Sequence, residues 1–108
     1  MTCRKAHASA FNPFIVFDPA QVEIAGQTQA WESSPGYVRR FCSECGSRVL
    51  AENRAEGQHF ELELSLGSFD EVGWFEPQYE SWIVRREPWL PAQPVAQHHR
   101  DRPPGASA

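Results

Sequence analysis

Three cysteines occur in the chain: Cys3, Cys42 and Cys45. The last two belong to Cys42-Ser43-Glu44-Cys45-Gly46, a C-x-x-C followed by glycine. Two residues between the thiols let a tight turn present both sulfurs to one ion. A glycine directly after the second cysteine relieves the backbone where a positive φ is needed. An apolar strand is expected to enter at Phe41 and a second to leave at Val49, which is the strand–knuckle–strand arrangement of a zinc ribbon. Two other readings stand beside it. A redox dithiol usually sits at the start of a helix, which lowers the thiolate pKa, and here Gly46 and the β-favouring Val49 argue against a helix. The third reading is two incidental cysteines. A knuckle supplies two ligands and a structural zinc takes four. Cys3 is a candidate third ligand, and no second C-x-x-C exists, so the metal site is incomplete as written.

The elements that must position these residues are mostly strands. Phe14-Ile15-Val16-Phe17 is a continuous apolar run closed by Asp18-Pro19 and reads as a strand buried on both faces. Ala30-Trp31-Glu32 is a short strand ended by the turn signal Ser33-Ser34-Pro35-Gly36. Tyr37 to Phe41 runs straight into Cys42, and Ser47 to Ala51 is the returning strand. Phe60, Leu62, Leu64 and Leu66 alternate with His59, Glu61, Glu63 and Ser65, the pattern of a half-buried antiparallel strand. Phe69 to Val72 reads as a short helical turn or loop, and Tyr79 to Val84 as a last strand. After about residue 93 the chain becomes Pro-, Gln- and His-rich and is read as a disordered tail, residues 93–108. His98 and His99 sit in that tail with nothing nearby to order them as a metal site.

Length and composition bound the rest. A chain of 108 residues with 41% hydrophobic and 22% charged residues is one globular domain's worth. Net charge is −4, which argues against nucleic acid, since a phosphate backbone rewards a clustered basic face. The pairs Arg39–Arg40 and Arg85–Arg86 are too short for such a stripe and read as solvent-facing charges on strands. No apolar run is long enough to span a bilayer. The first residues carry charge with no apolar run behind them, so the expected compartment is the reducing cytoplasm. Cysteines there are more often metal ligands or nucleophiles than disulfides.

Four segments in combination resemble the glutathione-dependent formaldehyde-activating enzyme family, whose wider membership includes centromere protein V. Cys3-Arg4-Lys5-Ala6-His7-Ala8-Ser9-Ala10-Phe11 resembles the family's C-R-K-x-x-G-S-x-F stretch. Phe41-Cys42-Ser43-Glu44-Cys45-Gly46-Ser47 resembles its F-C-x-x-C-G-S knuckle. Leu64-Ser65-Leu66-Gly67-Ser68-Phe69-Asp70 is similar to its L-G-[ST]-[FL]-D element, and Pro88-Trp89 to its C-terminal P-W. The resemblance covers residues 3 to 90. It implies a mainly β, small zinc-ribbon-containing β-sheet fold of the Mss-four-like type in a single domain, residues 1–92.

In that family, a C-x-C-G near the N-terminus completes a structural zinc site with the F-C-x-x-C-G knuckle, and a C-x-C-x-x-C-R cluster holds a catalytic zinc. Carried over, Cys42 and Cys45 are half of the structural site, and Cys3 is the last of the three catalytic ligands. The other four cysteines have no counterpart, so the chain reads as N-terminally shortened, with Met1 an internal methionine or a true truncation. A homodimer, in which a second copy supplies ligands, is one way to complete the site. If Pro77 and Trp89 are aligned as anchors, Glu80 falls where many relatives have His.

The resemblance implies a carbon–sulfur lyase or synthase joining glutathione, or a similar thiol, to formaldehyde or a related aldehyde, with Zn2+ as cofactor. Its partners are then small molecules, with no nucleic acid and no membrane. Cys3 is the catalytic-site ligand. Arg4 and Lys5 are cofactor-binding candidates, as partners for a thiolate or a glutathione carboxylate, or else ordinary solvated charges. His7 is a proton shuttle or a structural histidine. The rival from another class is a non-catalytic zinc-ribbon binding module, which an exposed aromatic surface at Trp74, Phe75 and Trp82 would support. A third reading is an inactive truncated relative.

Overall fold

The apolar run Phe14–Phe17 forms strand β1, and Asp18-Pro19 ends it. Asp18 caps a short 3₁₀ helix, Pro19–Gln21. Its carboxylate accepts the Ala20 N–H at 3.0 Å, and the Gln21 side chain accepts the Asp18 N–H at 2.8 Å. This reciprocal cap satisfies donors that a helix start otherwise leaves open. The computed structural model describes residues 2–57 and 59–101. Met1, Gln58 and residues 102–108 lie outside the described residues. The chain divides into two compact units, one spanning residues 12–70 and the other joining residues 3–11 to residues from 71 onward.

The first unit is a five-stranded antiparallel sheet. Strands β2 (Gln29–Ser34), β3 (Tyr37–Phe41), β4 (Arg48–Asn53) and β5 (Glu61–Ser65) come after β1 in the chain, in the spatial order β1-β5-β4-β3-β2. β2 to β5 form a meander joined by short turns, and β1 adds to the far side of β5. Leu64 lies opposite both Ile15 and Leu50, and Leu62 opposite Phe17 and Glu52. Directly opposed residues share a face, so this register gathers Ile15, Leu50, Leu62 and Leu64 on one side of the sheet. Ile15, Leu50 and Leu62 are the buried large side chains there. The alternation around Leu62 and Leu64 is realised, but β5 stops at Ser65. Leu66–Ser68 turns into a 3₁₀ helix that leaves Leu66 exposed.

Two expectations about this unit are corrected. β1 is an edge strand in which Ile15 alone is buried, so it is not covered on both faces. The pair Arg39–Arg40 is not solvent-facing. Arg39 is 5% exposed, with its guanidinium 4.7 Å above the Tyr37 ring and its Nε donating to Ser33 Oγ at 3.0 Å. The Tyr37 hydroxyl donates in turn to Glu63, on the same face. Arg40 is half-buried on the opposite face and pairs with Glu52 at 3.0 Å. A charge brought into a sheet face needs such partners, because an unpaired buried charge costs several kcal/mol.

In the second unit, Thr2–His7 forms helix α1, an element not expected from the sequence. The Tyr79–Val84 run is mostly not a strand. β6 covers only Tyr79–Glu80; Trp82 then adopts the left-handed region at φ 57, and Ile83–Arg85 forms a 3₁₀ turn. β6 pairs in parallel with β7 (Ala96–Gln97), inside the segment read as disordered. Main-chain bonds extend this pairing: Trp82 N–H to Arg100 O at 2.8 Å, Ile83 N–H to His98 O at 3.2 Å, and His98 N–H to Glu80 O at 2.8 Å. Composition misleads over residues 93–101 because it does not report the main-chain pairing that these residues make. Glu80 contributes through its side chain as well, bonding Arg86 at 2.7 Å and accepting the Gln93 N–H at 3.4 Å. Arg86 also bonds Gln97, so it too is engaged rather than solvated, whereas Arg85 stays exposed over the Trp82 ring.

Candidate metal knuckle and cationic recess

β3 ends at Phe41, and a register shift between Arg40 and Phe41 accompanies the end of the β3–β4 ladder. Bulges of this kind bend a strand and re-aim the residues just beyond them. Cys42 is the next residue. Its N–H donates to Ser47 O at 2.8 Å, and its carbonyl accepts the Gly46 N–H at 2.9 Å. These bonds close the turn, and Gly46 sits at φ +78, where a side chain is strained. Cys42 is half-buried and Cys45 exposed, both as free thiols.

The Cys45 thiol lies 3.1 Å from Ser47 Oγ. Its pKa is held below the ordinary 9.0, first by the Ser47 hydroxyl, then by the Ser47 main-chain N–H, then by the Cys42 thiol. The two sulfurs are therefore neighbours, and one is predisposed to the thiolate form that binds metal. This donor pair fits two positions of a tetrahedral zinc site. It does not complete one: among the described residues no group of three or more His, Cys, Asp or Glu side chains is arranged to hold a metal ion. Of the three sequence-nominated ligands, Cys42 and Cys45 are brought together. Cys3 belongs to the other unit, on α1, half-buried.

That other unit holds a second feature, just after Cys3. α1 ends at His7, and Ala8 takes φ +51. A left-handed residue after the last helical turn reverses the chain, and the Ser9 N–H then reaches back to Arg4 O at 3.3 Å. Glycine is the usual residue here because it carries no Cβ penalty. The turn folds Ser9 and Ala10 back beside Arg4 and Lys5. Together with Ala8, Glu87 and Trp89 they line an open recess of about 490 Å3. Arg4 is ion-paired with Glu87, each side chain about one-third exposed, at 34% and 30%. Lys5 is exposed and pairs with no carboxylate among the described residues. Sequence reasoning nominates Arg4 and Lys5 but misses Glu87, which carries no motif of its own. Ser47 is visible there only as the last letter of the knuckle motif.

No helix of the described residues is long and apolar enough to cross a membrane. No curated protein matches the sequence. The family model described as glutathione-dependent formaldehyde-activating enzyme matches residues 1–85. That span takes in Cys3, Arg4, Lys5 and the whole knuckle, and ends before Glu87 and the Pro88-Trp89 pair. By this match over most of its length, the chain belongs to the glutathione-dependent formaldehyde-activating enzyme family.

Proposed function

We propose that the protein forms and breaks the carbon–sulfur bond between a thiol, glutathione or a similar one, and formaldehyde or a related aldehyde. The family match over residues 1–85 carries this reading. In the forward direction a thiolate sulfur bonds the carbonyl carbon, the C=O π pair moves to oxygen, and one proton neutralises the alkoxide to give R–S–CH2–OH. Zinc, when bound, would lower the pKa of a thiol and polarise the aldehyde oxygen. Cys42 and Cys45 would hold a structural zinc as two of its four ligands, and Cys3 would serve at the reactive site.

Arg4 and Lys5 come directly after Cys3 on α1 and line the same recess, which suits a ligand bearing carboxylates. Their charge attracts the anionic tripeptide and favours its ionised thiol. His7, at the end of α1, is the candidate side chain for moving the proton. The working compartment is a reducing one, where free thiols persist.

The test monitors 13C-formaldehyde and glutathione by exchange NMR in zinc-containing buffer. The interconversion with S-hydroxymethylglutathione should be faster with protein than without, and Cys3→Ser should return it to the spontaneous rate. Equal rates with and without folded protein would refute the reading.

A second reading, a non-catalytic zinc-binding module, draws support from Trp74, Phe75 and Trp82, all of which are exposed. It expects zinc dependent on Cys42 with no acceleration of adduct exchange.

A further inference from the structure

The bond between Arg4 and Glu87 already places a carboxylate inside the recess. Two cations and one carboxylate border it, so the recess carries a net positive charge in a chain whose total is −4. With Glu87 in place, one cation is neutralised and Lys5 remains open. We infer that Glu87 is a resident competitor for Arg4, and that a ligand carboxylate enters the recess by displacing it. The ligand class is a small carboxylate, and on the reading proposed above it is a carboxylate of glutathione.

Three observations support exchange rather than a fixed strut. The pair is partly exposed on both sides, and ion pairs of that kind are weak enough to be displaced. Lys5 stands beside it with no carboxylate partner among the described residues, so an entering carboxylate meets a cation before Glu87 leaves. Trp89, 71% exposed, offers a flat apolar wall at the same recess for the uncharged part of the ligand. Glu87 and Trp89 both lie beyond residues 1–85, the span that the family model matches. Exchange conserves charge: one carboxylate leaves Arg4 as another arrives, and no proton or electron moves.

The experiment is isothermal titration of the full chain with S-methylglutathione, whose blocked thiol removes both chemistry and sulfur–metal contact. Succinate is titrated as a second probe. Glu87→Gln keeps the side-chain shape and removes the competing charge. It should bind both probes about three- to fivefold more tightly than wild type, the size expected for losing a weak, partly exposed pair. Arg4→Ala should abolish the gain when combined with Glu87→Gln. Glu87→Asp, which retains the charge, should stay near wild type. Tighter binding of succinate alone would uphold the exchange and remove glutathione as the ligand. Binding of S-methylglutathione unchanged or weakened by Glu87→Gln would overturn the exchange while leaving glutathione recognition standing. No binding of either probe to any variant would overturn both.

Discussion

Gly36→Ala should cost far more than the same change at Gly46, though both glycines sit at nearly the same φ, +79 and +78. An alanine in the left-handed region costs about 1–2 kcal/mol, and both variants carry that cost. They differ in what the new Cβ meets. At Gly46 nothing lies within 4 Å. At Gly36 the Cβ would stand 2.8 Å from Ala55 Cα, 2.8 Å from Arg54 O and 2.9 Å from Ala55 N. These are backbone atoms just past β4, and they cannot swing aside as a side chain could. The hairpin must move away, which strains the 2.6 Å bond from Arg54 N–H to Gly36 O. Overpacking costs roughly 1–3 kcal/mol and a lost hydrogen bond about 1 kcal/mol. The Gly36 variant should therefore lose about 3–6 kcal/mol, against about 1–2 kcal/mol for Gly46. Urea unfolding in the presence of a chelator measures both without a metal contribution. A difference below about 1 kcal/mol would refute the assigned packing of the β2–β3 turn against residues 54 and 55.

Ala8→Gly should stabilise the protein by roughly 0.5–1 kcal/mol, because relief of the left-handed strain at φ 51 exceeds the added freedom of the unfolded chain; thermal unfolding reads it. In chelator-treated protein, Ser47→Ala should slow iodoacetamide alkylation of Cys45 at neutral pH, since losing the Ser47 hydroxyl raises that thiol's pKa and lowers its thiolate fraction. Peptide mapping of the alkylated sites would expose the opposite result, an unchanged Cys45 rate. Asp18 is held below its ordinary 3.8, first by the Ala20 N–H and then by the His59 side chain. A carboxyl depressed on folding stabilises the protein above its unfolded-state pKa, and that contribution disappears as pH falls through the folded value. The stability advantage of wild type over Asp18→Asn should therefore shrink with acidification below about pH 4 and be level at neutral pH.

Strands whose ends carry turn chemistry are legible in the sequence. Pro35-Gly36 stops β2, Asp18-Pro19 stops β1, and Tyr37–Phe41 is bounded by that turn and by Cys42. Each strand's place in the sheet is not legible. An apolar tetrapeptide reads alike at an edge and at the centre, so Phe14–Phe17 reads as an interior strand although it forms an edge. Arg39 reads as a surface charge because the groups that hold it, the Ser33 hydroxyl and the Tyr37 ring, face it only once the strands pair. The short α1 and the β6–β7 pairing rest on main-chain bonds with little side-chain periodicity behind them. The knuckle is legible because its geometry is local: two thiols, a turn and one glycine lie within five consecutive residues. The recess is half legible, since Arg4 and Lys5 sit in a recognisable stretch while Glu87 reaches Arg4 from 83 residues away. The structure also supplies a reason for the glycine of the C-R-K-x-x-G-S-x-F pattern. Ala8 occupies that position here, and its φ is one that glycine adopts without cost.

The proposed binding of zinc by Cys42 and Cys45 is tested most directly by competition for zinc against a chromophoric chelator. Wild type and Cys3→Ser should both withdraw zinc from the chelator, and Cys42→Ser and Cys45→Ser should each lose that capacity. Equal zinc uptake by wild type and the two knuckle variants would contradict the account, as would a wild-type chain that takes up none.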